Sequence, residues 1–226
     1  VLEAVEVMPT VDALQPGPRD RILEIGCGTG RITRHLATRA AWVVACDLSR
    51  ASLIACRGKA RGTARLSLVQ ADATHLPFRD GAFEKSLSAE VLEHVPTPAT
   101  REAFISEAAR TLAPDGRLVL TAYHDSLLMR LVGKREGTHE GPGGGIYYRR
   151  FTVREMRTLL AARFPEFALH GLRNLPGRTV ERWLGPSSVP VLVALERWLS
   201  RTPLSRLTGH LLLAVADKTR AALMYN

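Results

Sequence analysis

The chain is short of several things that would have decided its class at once. Only three of its 226 residues are cysteine. That is too few, and an odd number, for a disulfide scaffold, so a reducing compartment is expected. Cys27, Cys46 and Cys56 fall in predicted core or helix, where a free thiol behaves as a small apolar group. No apolar run reaches the roughly 18 residues of a membrane-spanning helix, and no leader-like segment is visible. The first residue is Val1 rather than Met, which reads as a trimmed start. Cytoplasmic localisation is expected. Internal repeats are absent, and 46% hydrophobic with 23% charged residues excludes a disordered chain. The length suits one α/β domain over residues 1–226 with a sizeable core.

Acidic residues are scarce in one half. Residues 1–129 hold 15 Lys/Arg and 15 Asp/Glu, whereas residues 130–226 hold 16 and 7, so the net charge of +9 lies entirely in the second part. Such a surface faces something anionic or is merely solvated; nucleic acid, an anionic membrane and acidic substrates all remain open. No basic motif interleaved with aromatics appears, so nucleic acid is not the expected partner. Oligomeric state is not legible.

The chain is organised around Arg21 to Gly30, R-I-L-E-I-G-C-G-T-G. Ile22, Leu23 and Ile25 form a short apolar run, as expected of a strand buried on both faces. Gly26, Gly28 and Gly30 then permit a tight turn at positive φ and close approach of a ligand. A helix from Arg31 to Thr38 would present unpaired N–H groups behind it. The third glycine comes one residue too early for the dinucleotide pattern G-x-G-x-x-G, and the Gly-Lys-Ser/Thr ending of a phosphate-binding Walker loop is missing. Glu24, two residues before the first glycine, has no duty in a dinucleotide fold.

Further strands are expected at Ala41–Cys46, Leu66–Ala71, Phe83–Ser88, Arg117–Tyr123, Phe167–Leu172 and Leu207–Ala216. Asp47 stands at the tip of the second, 21 residues after Gly26, where a carboxylate accepts both hydroxyls of an adenosine ribose. Helices are expected at Val1–Met8, from Ser49 as N-cap, over Thr100–Leu112, and from Thr152, with Glu155 three residues on, to about Arg163. Pro114-Asp115-Gly116 reads as a turn. Lys134–Arg150, with Gly141-Pro142-Gly143-Gly144-Gly145, reads as a mobile loop above the site. Segment 175–203 is apolar and basic; within it 179–203 is read as an interfacial helix on anionic lipid, a lid over the acceptor, or an ordinary buried helix pair.

The motifs LEIGCGTG, ACDLS, QADATHLPF, AEVLEHV and LAPDGRLVLT occur in this order over roughly 100 residues. Together they resemble class I S-adenosylmethionine (SAM)-dependent methyltransferases, in particular the small-molecule branch that includes ubiquinone-biosynthesis enzymes. The resemblance implies a Rossmann-like, doubly wound, seven-stranded α/β sheet with the last strand antiparallel, and SAM as cofactor with S-adenosylhomocysteine as product. It implies that Glu24, Gly26, Cys27, Gly28 and Gly30 shape the methionine pocket. Asp47, with Leu48 beside it, would hold ribose; Asp72 and Ala73 would read adenine; Ser88, Ala89 and Glu90 would line the methionine amino end and the methyl.

Methyl transfer from a sulfonium is an in-line displacement in which positioning does most of the work, and the protein adds at most a base. No Asn/Asp-Pro-Pro-aromatic quartet follows strand four, which argues against methylation of exocyclic base amines. No Pro-Cys nucleophile follows it either, which argues against cytosine ring carbons. Aminopropyl transfer would need paired acidic residues and a β-rich N-terminal part. The expected reaction is methylation, O-methylation foremost, of a small hydrophobic acceptor. The alternative is an RNA-directed methyltransferase or a SAM-binding non-enzyme using the basic half. His94 or His124 is the expected base, and Tyr123, His139, Tyr147 and Tyr148 are expected around the acceptor. Glu90, Glu93 and His94 stand at i, i+3 and i+4 and, with His139, could hold a divalent ion if helical, as a similar E-x-x-E-H does in ubiquinone-type O-methyltransferases. The metal-free reading is preferred.

Overall fold

A computed structural model describes residues 3–60, 62–140, 144–175 and 186–219, with backbone alone for Val132. Its strands are β1 (Arg21–Ile25), β2 (Trp42–Asp47), β3 (Leu66–Gln70), β4 (Phe83–Ala89), β5 (Leu112–Tyr123), β6 (Glu136–His139), β7 (Ile146–Arg149), β8 (Glu166–Leu172) and β9 (Leu211–Asp217). Between them lie α1 (Met8–Leu14), α2 (Thr33–Ala37), α3 (Arg50–Lys59), α4 (Pro98–Thr111), α5 (Leu127–Val132), α6 (Val153–Ala161), α7 (Val189–Ser200) and α8 (Ser205–Thr208).

Seven strands form one sheet in the order β3-β2-β1-β4-β5-β9-β8. Ladders among the first five are parallel, and β9 runs antiparallel to both β5 and β8. The expected seven-stranded doubly wound sheet is the one observed. β1 is flanked by β2 on one side and β4 on the other, so the winding reverses between β1 and β4, and the crevice beyond their carboxyl ends is where an open α/β sheet takes its ligand.

Alternation along the strands supplies two cores. Leu23, Ile25, Leu118 and Leu120 pack on one face with Phe104 of α4 and Met156 and Leu160 of α6. Ile22, Val43, Leu87 and Val119 pack on the other with Val11, Leu14 and Leu36 of α1 and α2. β1 is buried on both faces from Ile22 onward, as its apolar run requires. Local signals held where the chemistry is local. Ser49 accepts from Ser52 N as the N-cap of α3, and Thr152 with Glu155 closes a capping box on α6.

Four expectations are corrected. The N-terminal helix does not stop at Met8: a π-turn over Glu3–Val7 leads into α1, which ends at Leu14. Pro9 sits in its first turn, where the missing N–H is harmless. The Pro114–Gly116 turn lies inside β5, which begins at Leu112 rather than Arg117. The ladder with β4 jumps from Phe83↔Leu112 to Lys85↔Arg117, and Asp115 takes φ 62° in the bulge between. Lys134–Arg150 is not an unstructured loop but the antiparallel hairpin β6–β7. Its aromatics pair across strands, Thr138↔Tyr147 and Gly137↔Tyr148; residues 141–143 of the glycine run lie outside the described residues. Leu207 does not start the last strand. Ser205–Thr208 is a helical turn and β9 starts at Leu211. Of the 175–203 segment, Val189–Ser200 is helix; residues 176–185, Trp183 among them, lie outside the described residues.

Candidate active site

The glycine turn is forced by its surroundings. Gly26, Gly28 and Gly30 take φ of 74°, 53° and 84°. A Cβ on Gly26 would fall 2.3 Å from Val91 Cγ2 and one on Gly30 2.7 Å from Cys56 Sγ, whereas one on Gly28 would meet nothing within 4 Å. Two of the glycines are therefore demanded by packing, and the third borders open space in the cradle. Cys46 O accepts from the N–H groups of Gly26 and Cys27 at 2.8 and 2.9 Å, which ties the turn to β2. Cys27 is buried, and burial pushes its thiol up, so it stays protonated.

Asp47, at the end of β2, accepts from Gly28 N through Oδ2 and from Ser49 N through Oδ1, each at 2.8 Å. Each oxygen keeps a lone pair for a further donor. Leu48, next to it, is largely exposed. Asp72 follows β3. Its Oδ1 accepts from Thr74 N and Thr74 Oγ1, both at 2.8 Å, and these bonds hold the carboxyl below its usual range. Ala73 packs partly on the core beside it. At the end of β4 the buried Ser88 donates to Ile25 O at 3.0 Å and so ties β4 to β1. Ala89 is half-buried. Glu90 N donates to Thr121 O at 3.0 Å, and Glu90 takes φ 57°, a conformation that costs a non-glycine residue about 1–3 kcal/mol.

Glu24 is the most informative group. It is buried, and its Oε2 has no hydrogen-bond partner among the described residues. Burial is the main cause that pushes its carboxyl up to about 8; the nearby Thr33 hydroxyl and Arg31 oppose this and Asp47 adds to it. A buried acceptor with an unused oxygen at the end of the strand that leads into the glycine turn is suited to a ligand cation.

A ring cluster stands around Tyr123, at the end of β5. Its ring centroid lies 6.2 Å from His94, 6.2 Å from His139, 6.3 Å from Tyr148 and 5.7 Å from His210. His139 and Tyr148 stack at 4.1 Å on the hairpin. His94 Nδ1 lies 2.7 Å from Tyr147 O. A carbonyl only accepts, so Nδ1 carries the proton there and Nε2 of the neutral ring is the free acceptor. His124 is different. It is 2% exposed, its Nδ1–H donates to Gly209 O at 2.9 Å, and burial holds it below the usual imidazole range. It is not among the rings around Tyr123, and its hydrogen bond ties the end of β5 to the start of β9.

The helical face that a metal at Glu90, Glu93, His94 and His139 would need does not form. Glu90 is left-handed, and only Leu92–His94 make a 3₁₀ turn. Glu90 Oε1 is 2.5 Å from Arg31 Nη2, His94 bonds Tyr147 O, and His139 lies on Tyr148. Glu93 is fully buried with neither oxygen bonded among the described residues, and burial, then Glu90 and Glu6, raise its carboxyl well above normal. Among the described residues no group of three His, Cys, Asp or Glu side chains is placed to hold a metal ion.

Sequence reasoning missed several of these neighbours. Arg31, in place of the third dinucleotide glycine, pairs with both Glu6 and Glu90, and Arg173 Nη1 reaches Glu6 at 3.3 Å. His210 was hidden inside an expected strand; burial, then Arg173 and Arg150, push it down to about 4. No local signal marks these pairings, since their partners are far apart in sequence.

The fold, the acidic residue ahead of the glycine turn and the carboxylates after β2 and β3 are together similar to those of class I SAM-dependent methyltransferase domains. Residues 23–120 match a family described as "Methyltransferase domain". The chain is 33% identical over 150 residues to a demethylmenaquinone methyltransferase of Mycolicibacterium vanbaalenii, covering 61% of this chain and 62% of that one. It is 31% identical over 166 residues to a malonyl-[acyl-carrier protein] O-methyltransferase of Geobacter sulfurreducens, covering 71% and 60%. The chain thus spans about three fifths of these curated relatives. A solved SAM-dependent methyltransferase of Methanosarcina mazei shares the fold with a TM-score of 0.66 at 20% identity, over 93% of this chain and 97% of that one.

Proposed function

We propose that the chain transfers a methyl group from SAM to a small, hydrophobic acceptor, with an acceptor oxygen as the favoured target. The observation that carries the reading is the cradle: the buried Glu24 oxygen with no partner among the described residues, ahead of the glycine turn, with Asp47 bonded to Gly28 N and Asp72 following the next strand. Glu24 would meet the methionine ammonium, and the turn from Gly26 to Gly30, with Cys27, would surround the methionine chain. Asp47 would take the ribose hydroxyls with Leu48 over the edge. Asp72 and the Ala73 N–H would read adenine, while Ala89 and Glu90 border the methyl end and Ser88 holds β4 against β1.

When bound, SAM supplies a methyl group activated by its positive sulfur. The chain's own part is to align and to take a proton. His94 Nε2 is the base, with its tautomer held by Tyr147 O; Tyr123, Tyr148 and His139 offer faces against which an apolar acceptor can lie. The relatives' printed names, a demethylmenaquinone methyltransferase and a malonyl-[acyl-carrier protein] O-methyltransferase, support a small-molecule or carrier-linked acceptor without selecting one.

The test is calorimetry with S-adenosylhomocysteine and NAD, followed by transfer of labelled methyl to a panel of hydroquinones, phenols and carboxylic acids. Binding of S-adenosylhomocysteine alone is expected. Binding of NAD in its place would sink the reading.

A further inference from the structure

α5 and α8 lie against each other at the end of the sheet that carries the ring cluster. Their inward positions are taken. Met129 Sδ sits 3.0 Å from His210 Nδ1, and Ser205 is buried so tightly on β8 that a Cβ at Gly171 would fall 1.8 Å from its carbonyl oxygen. What remains turns outward: Leu127, Leu128 and Leu131 of α5, with Leu204 and Leu207 at α8, are exposed by 44% for Leu128 up to 82% for Leu131. At i, i+1 and i+4 the three leucines of α5 share one helix face. Five large aliphatics on two adjoining helical turns form a group that a water-facing surface does not need.

Basic side chains predominate around them, and the acids that meet them are already paired: Arg130 and Arg135 hold the buried Asp125, and Arg135 also pairs with Glu155. Ser126–Arg135 and Arg201–His210 contain Arg130, Lys134, Arg135, Arg201 and Arg206 and not one Asp or Glu. Lys134 and Arg201 are exposed and make no ion pair among the described residues. We propose that this α5–α8 face docks on an anionic phospholipid surface, leucines among the acyl chains and the basic side chains at the headgroups. The chemistry selects lipid over a protein partner. Protein interfaces are enriched in aromatic anchors, and neither helix carries one, whereas leucine ringed by Lys and Arg is what a headgroup boundary accepts. No helix among the described residues is long and apolar enough to cross the bilayer, so the contact is peripheral. Its five leucines all lie outside the 179–203 stretch. The proposal does not depend on the methyl-transfer reading, although a chain docked this way would hold its ring cluster close to the headgroups.

The experiment is co-sedimentation of the whole chain with vesicles of equimolar phosphatidylglycerol and phosphatidylcholine, against pure phosphatidylcholine, at low and high salt. Binding is expected on the anionic vesicles only, weakening as salt rises. Leu131→Asp and Leu207→Asp should each lower partitioning by about tenfold, and Leu131→Met should keep it. Unchanged S-adenosylhomocysteine binding and unchanged melting confirm that the variants fold; if a variant melts early, the milder Leu131→Ser and Lys134→Gln replace it. Equal binding to neutral vesicles, no binding at all, or retention by folded Asp variants overturns the proposal. So does a wild-type dimer in light scattering that Leu131→Asp disperses without any vesicle effect, which would make a second copy the occupant.

Discussion

At the scale of single residues, Glu24 and Asp47 make separable predictions. Asp47→Ala removes two acceptors meant for ribose and should weaken S-adenosylhomocysteine binding by about 1.5–3 kcal/mol in calorimetry; an unchanged affinity would remove Asp47 from the site. Glu24 works through its proton. An acid raised to about 8 on folding keeps a proton that the unfolded chain has lost above about 4.3, so its contribution to stability falls as pH rises between these values. A cation bound against it reverses the preference and expels the proton. Affinity for S-adenosylhomocysteine should therefore rise with pH toward 8, with proton release at pH 7 visible as a heat that changes with buffer, and Glu24→Gln should flatten both. A flat wild-type profile would show that Glu24 does not face the ammonium. Of the two histidines, His94→Gln is expected to lower kcat about 10²–10⁴-fold while S-adenosylhomocysteine still binds. His124→Gln should lower stability more than rate, because it breaks a buried bond to Gly209 O. The opposite pattern would exchange their roles.

At the scale of elements, the glycine turn separates packing from binding. Gly30→Ala meets both a φ of 84° and the Cys56 side chain, so a loss of about 2–5 kcal/mol is expected from strain and overpacking together. Gly28→Ala has room for its Cβ and should lose only the backbone part, about 1–2 kcal/mol, while cofactor binding suffers. Equal losses in denaturant melts would refute the account. This turn was legible in the sequence because the demand for positive φ is local. The β6–β7 hairpin was not: its glycines suggested a loop, and only the pairing of Tyr147 and Tyr148 with Thr138 and Gly137, and the seat of His94 on Tyr147 O, ordered it.

At the scale of the whole molecule, Arg31 joins parts that are remote in the chain. It links the N-terminal turn through Glu6 to the end of β4 through Glu90, and Arg173, just past β8, shares Glu6. Arg31→Ala leaves the buried Glu6 with one partner fewer. Because Arg31 is itself partly exposed, a loss of about 1–2 kcal/mol is expected, below that of a fully buried pair, with faster amide exchange over residues 3–14. Unaltered exchange there would mean that the N-terminal turn is held by Val7, Val11 and Leu14 alone.

By itself the sequence determined the parallel core of the sheet, the glycine turn, the two carboxylates at strand tips and the caps of α3 and α6. Each rests on apolar periodicity or on the backbone needs of a few neighbouring residues. Tertiary structure alone decided that Glu93 has no hydrogen-bond partner among the described residues, that Ser88 holds two strands together, that His210 joins the rings around Tyr123 and that α5 and α8 leave five leucines outside. Those outcomes depend on which distant segments meet, and on how much water is left between them. No window of consecutive residues encodes either quantity.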